Sequence, residues 1–186
     1  MRPAIALLLA LTFGIAACDT GKPGDGQAAV GNEVAPGVAG KVDRSHAGEA
    51  APGFAIRSLA GKPGTLADFA GKPVLLNLWA TWCAPCVKEM PTLDALAARK
   101  GDALRVVALS QDLEGAEKVR PFLAKGGYRH FETWLDPDLA FSVGLGANLP
   151  TTILYDAAGK EVWRVTGALD WAGPEAAGLI AEARRR

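Results

Sequence analysis

Cys83 and Cys86 are the two side chains of this 186-residue chain whose types and spacing point most directly to chemistry. They stand in Trp82-Cys83-Ala84-Pro85-Cys86, between a nearly continuous apolar run (Val74 to Ala80, VLLNLWA) and a segment of helical periodicity. A cysteine at a helix start faces unpaired backbone N–H groups and the positive end of the helix dipole. Both favour thiolate over thiol, so Cys83 reads as a nucleophile reactive near neutral pH. Cys86, three residues on, shares its helical face. It is placed to attack a mixed disulfide at Cys83 and release the reduced partner. Four other readings compete. A zinc half-site needs two more ligands, and His46 and His130 lie at no recognisable ligand spacing. An inert disulfide closing so small a loop contributes little stability. A peroxidatic cysteine, making the chain a thiol peroxidase, is the enzymatic alternative. A redox-insensitive module binding a partner or a metal is the non-enzymatic one.

The elements that must position this pair follow from pattern. Val74 to Ala80 reads as a strand buried on both faces. Ala84 to Lys100 reads as a helix, with Val87, Met90, Leu93 and Leu96 at helical spacing and a kink expected at Pro91. Upstream, folded structure is expected to begin near Phe54, with Phe54 to Leu59 a strand, Gly61 to Gly64 a turn and Thr65 to Phe69 a helical turn. Downstream, Leu104 to Ser110 is a second buried strand, and Glu114 to Lys125 is a helix closed by Gly126-Gly127. Phe131 to Leu135 and Pro137 to Val143 are a short strand and a short helix. Thr151 to Tyr155 and Glu161 to Thr166 form a hairpin, and Pro174 to Arg186 a last helix. The first half implies a right-handed parallel crossover. The expected fold class is α/β: a mixed central sheet flanked by helices, with an N-terminal β extension and a small central αβ insert.

VLLNLWATWCAPC resembles the active-site strand and helix start of thioredoxins. Its continuation, Val87-Lys88-Glu89-Met90-Pro91, resembles the membrane-tethered TlpA/ResA branch of that superfamily. The resemblance spans about Glu49 to Trp171 and implies a thioredoxin fold and thiol:disulfide oxidoreductase activity. Leu149-Pro150-Thr151-Thr152 matches the superfamily's cis-proline loop. The implied catalytic set is Cys83, Cys86, Glu89 and Pro150, with Trp82, Ala84, Pro85, Leu149 and Thr151 contacting an extended substrate segment. Asn77 stands where cytoplasmic thioredoxins usually have Asp. Asn cannot accept a proton, so a buried base must come from elsewhere or be absent; the resemblance to the TlpA/ResA branch makes Glu89 the candidate. Thr151 stands where the CcmG branch of cytochrome maturation often has Glu. The 64 positions from Cys86 to Pro150 suit TlpA/ResA-like proteins and leave little room for a DsbA-type helical insert. The resemblance further implies reduction of disulfides in exported proteins, apocytochromes c or copper-site proteins among them. It also implies a membrane thiol donor of the DsbD/CcdA type. Trp79 reads as core, Trp82 as a shield over the disulfide, and Tyr155, Trp163 and Trp171 as packing.

The N-terminus has another character. Arg2 precedes the apolar stretch Ala4 to Ala17, which reads as a signal-peptide core. Ile15-Ala16-Ala17-Cys18 resembles the lipobox of bacterial lipoproteins, which implies lipidation at Cys18, and Asp19 resembles an inner-membrane retention signal. The expected organisation is a signal peptide at 1–17, a lipidated Cys18 with a flexible tether at 18–51, and a thioredoxin-like domain at 52–186. The tether is Gly-, Ala- and Pro-rich, with a reach of about 30 Å as a coil. That places the protein in the cell envelope, on the periplasmic face of the inner membrane; a secreted, soluble periplasmic form is the alternative. A formal net charge of +0 gives no electrostatic case for nucleic acid. No metal site is expected, and no nicotinamide or flavin motif calls for a cofactor.

Overall fold

The computed structural model describes residues 40–184; the signal segment, Cys18, most of the tether and the last two arginines lie outside the described residues. In chain order the first elements are β1 (Lys41–Asp43), β2 (Ile56–Ser58), β3 (Pro63–Gly64), β4 (Val74–Trp79) and α1 (Ala84–Lys100). Then come β5 (Arg105–Ser110), α2 (Ala116–Gly126), β6 (Glu132–Leu135) and α3 (Ala140–Gly144). The chain ends in β7 (Thr151–Tyr155), β8 (Glu161–Thr166) and α4 (Pro174–Ala181).

The strands form one sheet in the order β1-β8-β7-β4-β5-β6-β2-β3. β4, β5 and β6 run parallel, and β7 and β8 add antiparallel neighbours. The apolar run of β4 is explained by its central place, with every residue buried. Alternation along the strand sends successive side chains to opposite faces. Leu75 and Trp79 pack with Met90, Leu93 and Leu96 of α1 and Leu179 and Ile180 of α4. Leu76 and Leu78 pack on the other face with Phe69, Phe141 and Ile153. Asn77 therefore falls on the α1 side. The sheet is mixed and covered on both faces, as the sequence implied.

Several boundaries differ from expectation. Ordered structure starts well before residue 52. β1 pairs with β8 at Lys41↔Thr166, Val42↔Val165 and Asp43↔Arg164, and Ala50 bridges Lys160. An edge strand of three residues with one apolar side chain has no period to read; it is held by ladder hydrogen bonds that composition does not reveal. The expected turn at Gly61 to Gly64 contributes β3, which pairs back onto β2. α1, by contrast, has the expected bounds, with Pro91 inside it. α2 ends on Gly127 in the left-handed conformation, φ 70°, which glycine adopts without a Cβ clash.

Candidate active site

Cys83 sits where β4 hands over to α1. It is the helix N-cap, in an extended conformation, and its Sγ accepts a hydrogen bond from the Cys86 backbone N–H at 3.3 Å. Pro85, in the first turn, has no N–H to leave unsatisfied. Cys83 and Cys86 are joined as a disulfide with Cα atoms 5.3 Å apart. Cys83 retains 6% exposure and Cys86 none, so Cys83 is the sulfur on the solvent side. Trp82, expected to shield the disulfide, is 69% exposed and borders the same groove as Cys83.

The approach to Cys83 is fixed by a residue the sequence reading missed. The buried Asp112 carboxylate accepts from the Thr81 backbone N–H (3.0 Å), the Thr81 hydroxyl (2.6 Å) and the Ser110 hydroxyl (2.8 Å). The register Trp79↔Ser110 places the two loops side by side. An acid directly after an apolar strand was the only available signal.

Glu89 lies one turn beyond Cys86 and is 2% exposed. Its Oε1 accepts from Asn77 Nδ2 at 2.8 Å, and its Oε2 from the Leu169 backbone N–H at 3.0 Å and Trp171 Nε1 at 3.1 Å. Burial pushes this carboxyl above its ordinary value, and the three donors pull against that without reversing it. Two expectations are revised. Asn77 has a part in the site: it lies opposite Thr152 in the ladder, donates to that hydroxyl at 2.9 Å, and aims its second N–H at Glu89. Trp171 is buried as packing requires, yet its indole N–H belongs to the same network.

The Leu149–Pro150 bond is cis. Pro85, Glu89, Leu149 and Pro150 border one groove of about 790 Å³ beside α1. Trp82, Cys83, Ala84, Pro85 and Leu149 border a second, of about 830 Å³. Pro85 and Leu149 are common to both, so the helix start and the cis-proline loop meet next to the reactive sulfur. Thr151 is not at either groove: it is buried in β7, and its hydroxyl donates to the Asn148 carbonyl at 2.6 Å. His46 and His130 pair with Glu49 and Asp94 on the surface, apart from this site.

This arrangement can exchange a disulfide. A thiolate at Cys83 has its charge directed at the α1 N-terminus, and the second sulfur is held three residues away.

Residues 46–180 match the Redoxin family model. The chain is 35% identical over 142 residues to the thiol-disulfide oxidoreductase ResA of Bacillus thuringiensis, covering 75% of this chain and 80% of that protein. It is 37% identical over 127 residues to ResA of Bacillus subtilis, covering 66% and 68%. Among solved structures it resembles a DsbE-type thiol:disulfide interchange protein of Chlorobium tepidum. That match has a TM-score of 0.66 and 28% identity, and covers 74% of this chain and 96% of that one.

Proposed function

The chain belongs to the Redoxin family and, within the thioredoxin superfamily, to the TlpA/ResA-like thiol-disulfide oxidoreductases, and on that premise we propose that it reduces disulfides in exported proteins. The reduced form carries two thiols. Cys83, as thiolate, attacks one sulfur of the target disulfide; a Cys83–target bond forms and the second target sulfur leaves as a thiolate. Cys86 loses its proton and attacks Cys83 Sγ, which releases the first target sulfur and closes the Cys83–Cys86 bond. Two electrons have passed to the target, and the protein is left in the oxidised form seen here.

The observation that carries this reading is the N-cap placement of Cys83 beside the cis-proline loop, with Cys86 buried behind it. Glu89 supplies the nearby carboxyl that accepts the Cys86 proton during resolution and returns it when the dithiol is restored. The resemblance implies apocytochromes c or copper-site proteins as targets, and a membrane thiol donor of the DsbD/CcdA type. The apolar segment at 4–17 and the lipobox-like run before Cys18 support export and lipid anchoring on the outer face of the cytoplasmic membrane.

Direction is tested by equilibrating the Cys83–Cys86 couple with glutathione buffers. A potential near that of thioredoxin, about −270 mV, is expected of a reductant. A value near that of DsbA, about −120 mV, makes the protein an oxidant and overturns the reading.

A further inference from the structure

The two carboxyl oxygens of Glu89 have unlike partners. Oε2 accepts from the Leu169 backbone N–H at 3.0 Å and from Trp171 Nε1 at 3.1 Å. A backbone N–H and an indole N–H are donors only, so Oε2 stays an acceptor whether the acid is charged or neutral. Oε1 meets the Asn77 side chain at 2.8 Å. The proton of the neutral acid therefore belongs on Oε1, facing Asn77. A donor at that place suits the carboxylate; against an Oε1–H it sets donor to donor.

Asn77 can answer either state, because its amide carries one donor head and one acceptor head. Nδ2 contacts both Glu89 Oε1 and the Thr152 hydroxyl, at 2.8 and 2.9 Å, while Oδ1 is buried with no hydrogen-bond partner. A half-turn of the amide exchanges the two heads, and at the Oδ1 end it breaks no bond. The Thr152 hydroxyl accepts from Nδ2 or donates to Oδ1, so it follows the turn. Asn77 and Thr152 are fully buried and Glu89 nearly so, which keeps bulk water from the cluster. The titratable side chains that line a groove with Glu89 are Lys88, Asp170 and Glu175, and Cys86 lies one turn back on α1 in its disulfide. None of these is among the hydrogen-bond partners of Glu89.

We propose that Asn77 is a positioning residue whose side-chain amide turns with the protonation of Glu89: Nδ2 donates to the carboxylate, and Oδ1 accepts from the neutral acid. Burial favours the neutral acid and the surrounding donors favour the carboxylate; the turn gives each form a partner. Its consequence for catalysis rests on the proposed passage of the Cys86 proton to Glu89. In resolution the Cys86 S–H bond breaks and an Oε1–H bond forms. The sulfur electron pair makes the Cys83–Cys86 bond as the target sulfur leaves. The turn lets a buried acid take that proton, and later return it, with no hydrogen bond left opposed. Asn77→Asp cannot serve in this way, because two carboxyls so close share one proton and titrate as a pair.

The test uses the full chain with Cys83 and Cys86 oxidised, so that neither cysteine titrates. Nuclear magnetic resonance follows the Glu89 carboxyl carbon and the Asn77 side-chain NH2 from about pH 4 to about pH 8. Cross-peaks from that NH2 to Thr152 and Glu89 side-chain protons are expected at the high end and lost at the low end, with the midpoint of the Glu89 carbon. Glu89→Gln is expected to lack them at every pH: Leu169 and Trp171 fix its oxygen, so its own NH2 faces Asn77. Asn77→Leu keeps the size of the side chain and removes both heads. It is expected to slow resolution of a mixed disulfide about tenfold and to move the pH profile of that step upward. The wild-type and Glu89→Gln spectra carry the test if Asn77→Leu does not fold. Cross-peaks that persist through the Glu89 titration, or in Glu89→Gln, overturn the proposal and leave the redox reading intact. A wild-type rate and profile in Asn77→Leu overturn the positioning role. A Glu89 carbon that does not titrate in this range overturns the proposal and, with it, Glu89 as acceptor of the Cys86 proton.

Discussion

Glu89 carries a carboxyl where the surroundings favour the neutral acid, and the sign of that effect can be measured. Its value in the folded protein lies above the ordinary 4.5, because burial outweighs the donors from Leu169, Asn77 and Trp171. The folded state thus holds the proton more tightly than the unfolded chain does. Its contribution to stability is complete below 4.5 and is lost as pH rises through the raised folded value. Glu89→Gln does not titrate. The melting temperature of Glu89→Gln minus that of the wild type should therefore grow as pH is raised from about 4 to about 8, followed by thermal denaturation. A difference that stays flat across that range contradicts the assignment. In single-turnover reduction of a model disulfide, the same variant should resolve the mixed disulfide more slowly and with an altered pH profile. Superimposable rates leave Glu89 without a part in proton transfer. The two cysteines and Glu89 could be singled out because they follow one another at three-residue steps at the start of α1. Asn77 and Trp171 were not, since their contacts with Glu89 join residues 12 and 82 positions apart, a proximity that only the folded sheet creates.

The elements that bear the site were read most accurately where burial is continuous. β4 and the start of α1 were plain because a strand covered on both faces has to be apolar throughout, and an amphipathic helix must repeat. The short elements were less legible. α3 spans five residues and is preceded by Leu139 at φ 55°, a left-handed conformation that a leucine seldom adopts. The short helix expected at Pro137 to Val143 overlaps α3, but propensity offers no hint of this left-handed start at Leu139. The position of α3 comes from Asp136, whose carboxylate accepts from the backbone N–H groups of Ala140 (2.9 Å) and Phe141 (2.8 Å) across the intervening turn. Asp136→Ala leaves both N–H groups without their carboxylate partner and should lower stability by about 2 kcal/mol in chemical denaturation. A loss below about 0.5 kcal/mol would mean that α3 is held by Phe141 packing alone. β1 did escape detection: it is an edge strand defined by its partner β8 and not by its own sequence.

At the scale of the whole molecule, the chain is a thiol-disulfide oxidoreductase built on a thioredoxin fold, and its relationship to the ResA proteins was visible from one motif and its continuation. The route out of the cytoplasm rests on the sequence alone, since Cys18 lies outside the described residues. No helix among the described residues is long and apolar enough to cross a membrane. A Cys18→Ser protein expressed in a lipoprotein-processing bacterium should lose incorporated palmitate label. Undiminished labelling would end the lipoprotein proposal while leaving the redox site untouched. The central claim is that Cys83 attacks and Cys86 resolves. It is tested most directly by preparing Cys86→Ala and Cys83→Ala proteins, exposing each in its thiol form to the same peptide disulfide at neutral pH, and mapping the mixed disulfide by mass spectrometry. The account predicts that Cys86→Ala accumulates an adduct on Cys83 at least about tenfold faster than Cys83→Ala forms one on Cys86. Faster adduct formation on Cys86 would contradict it.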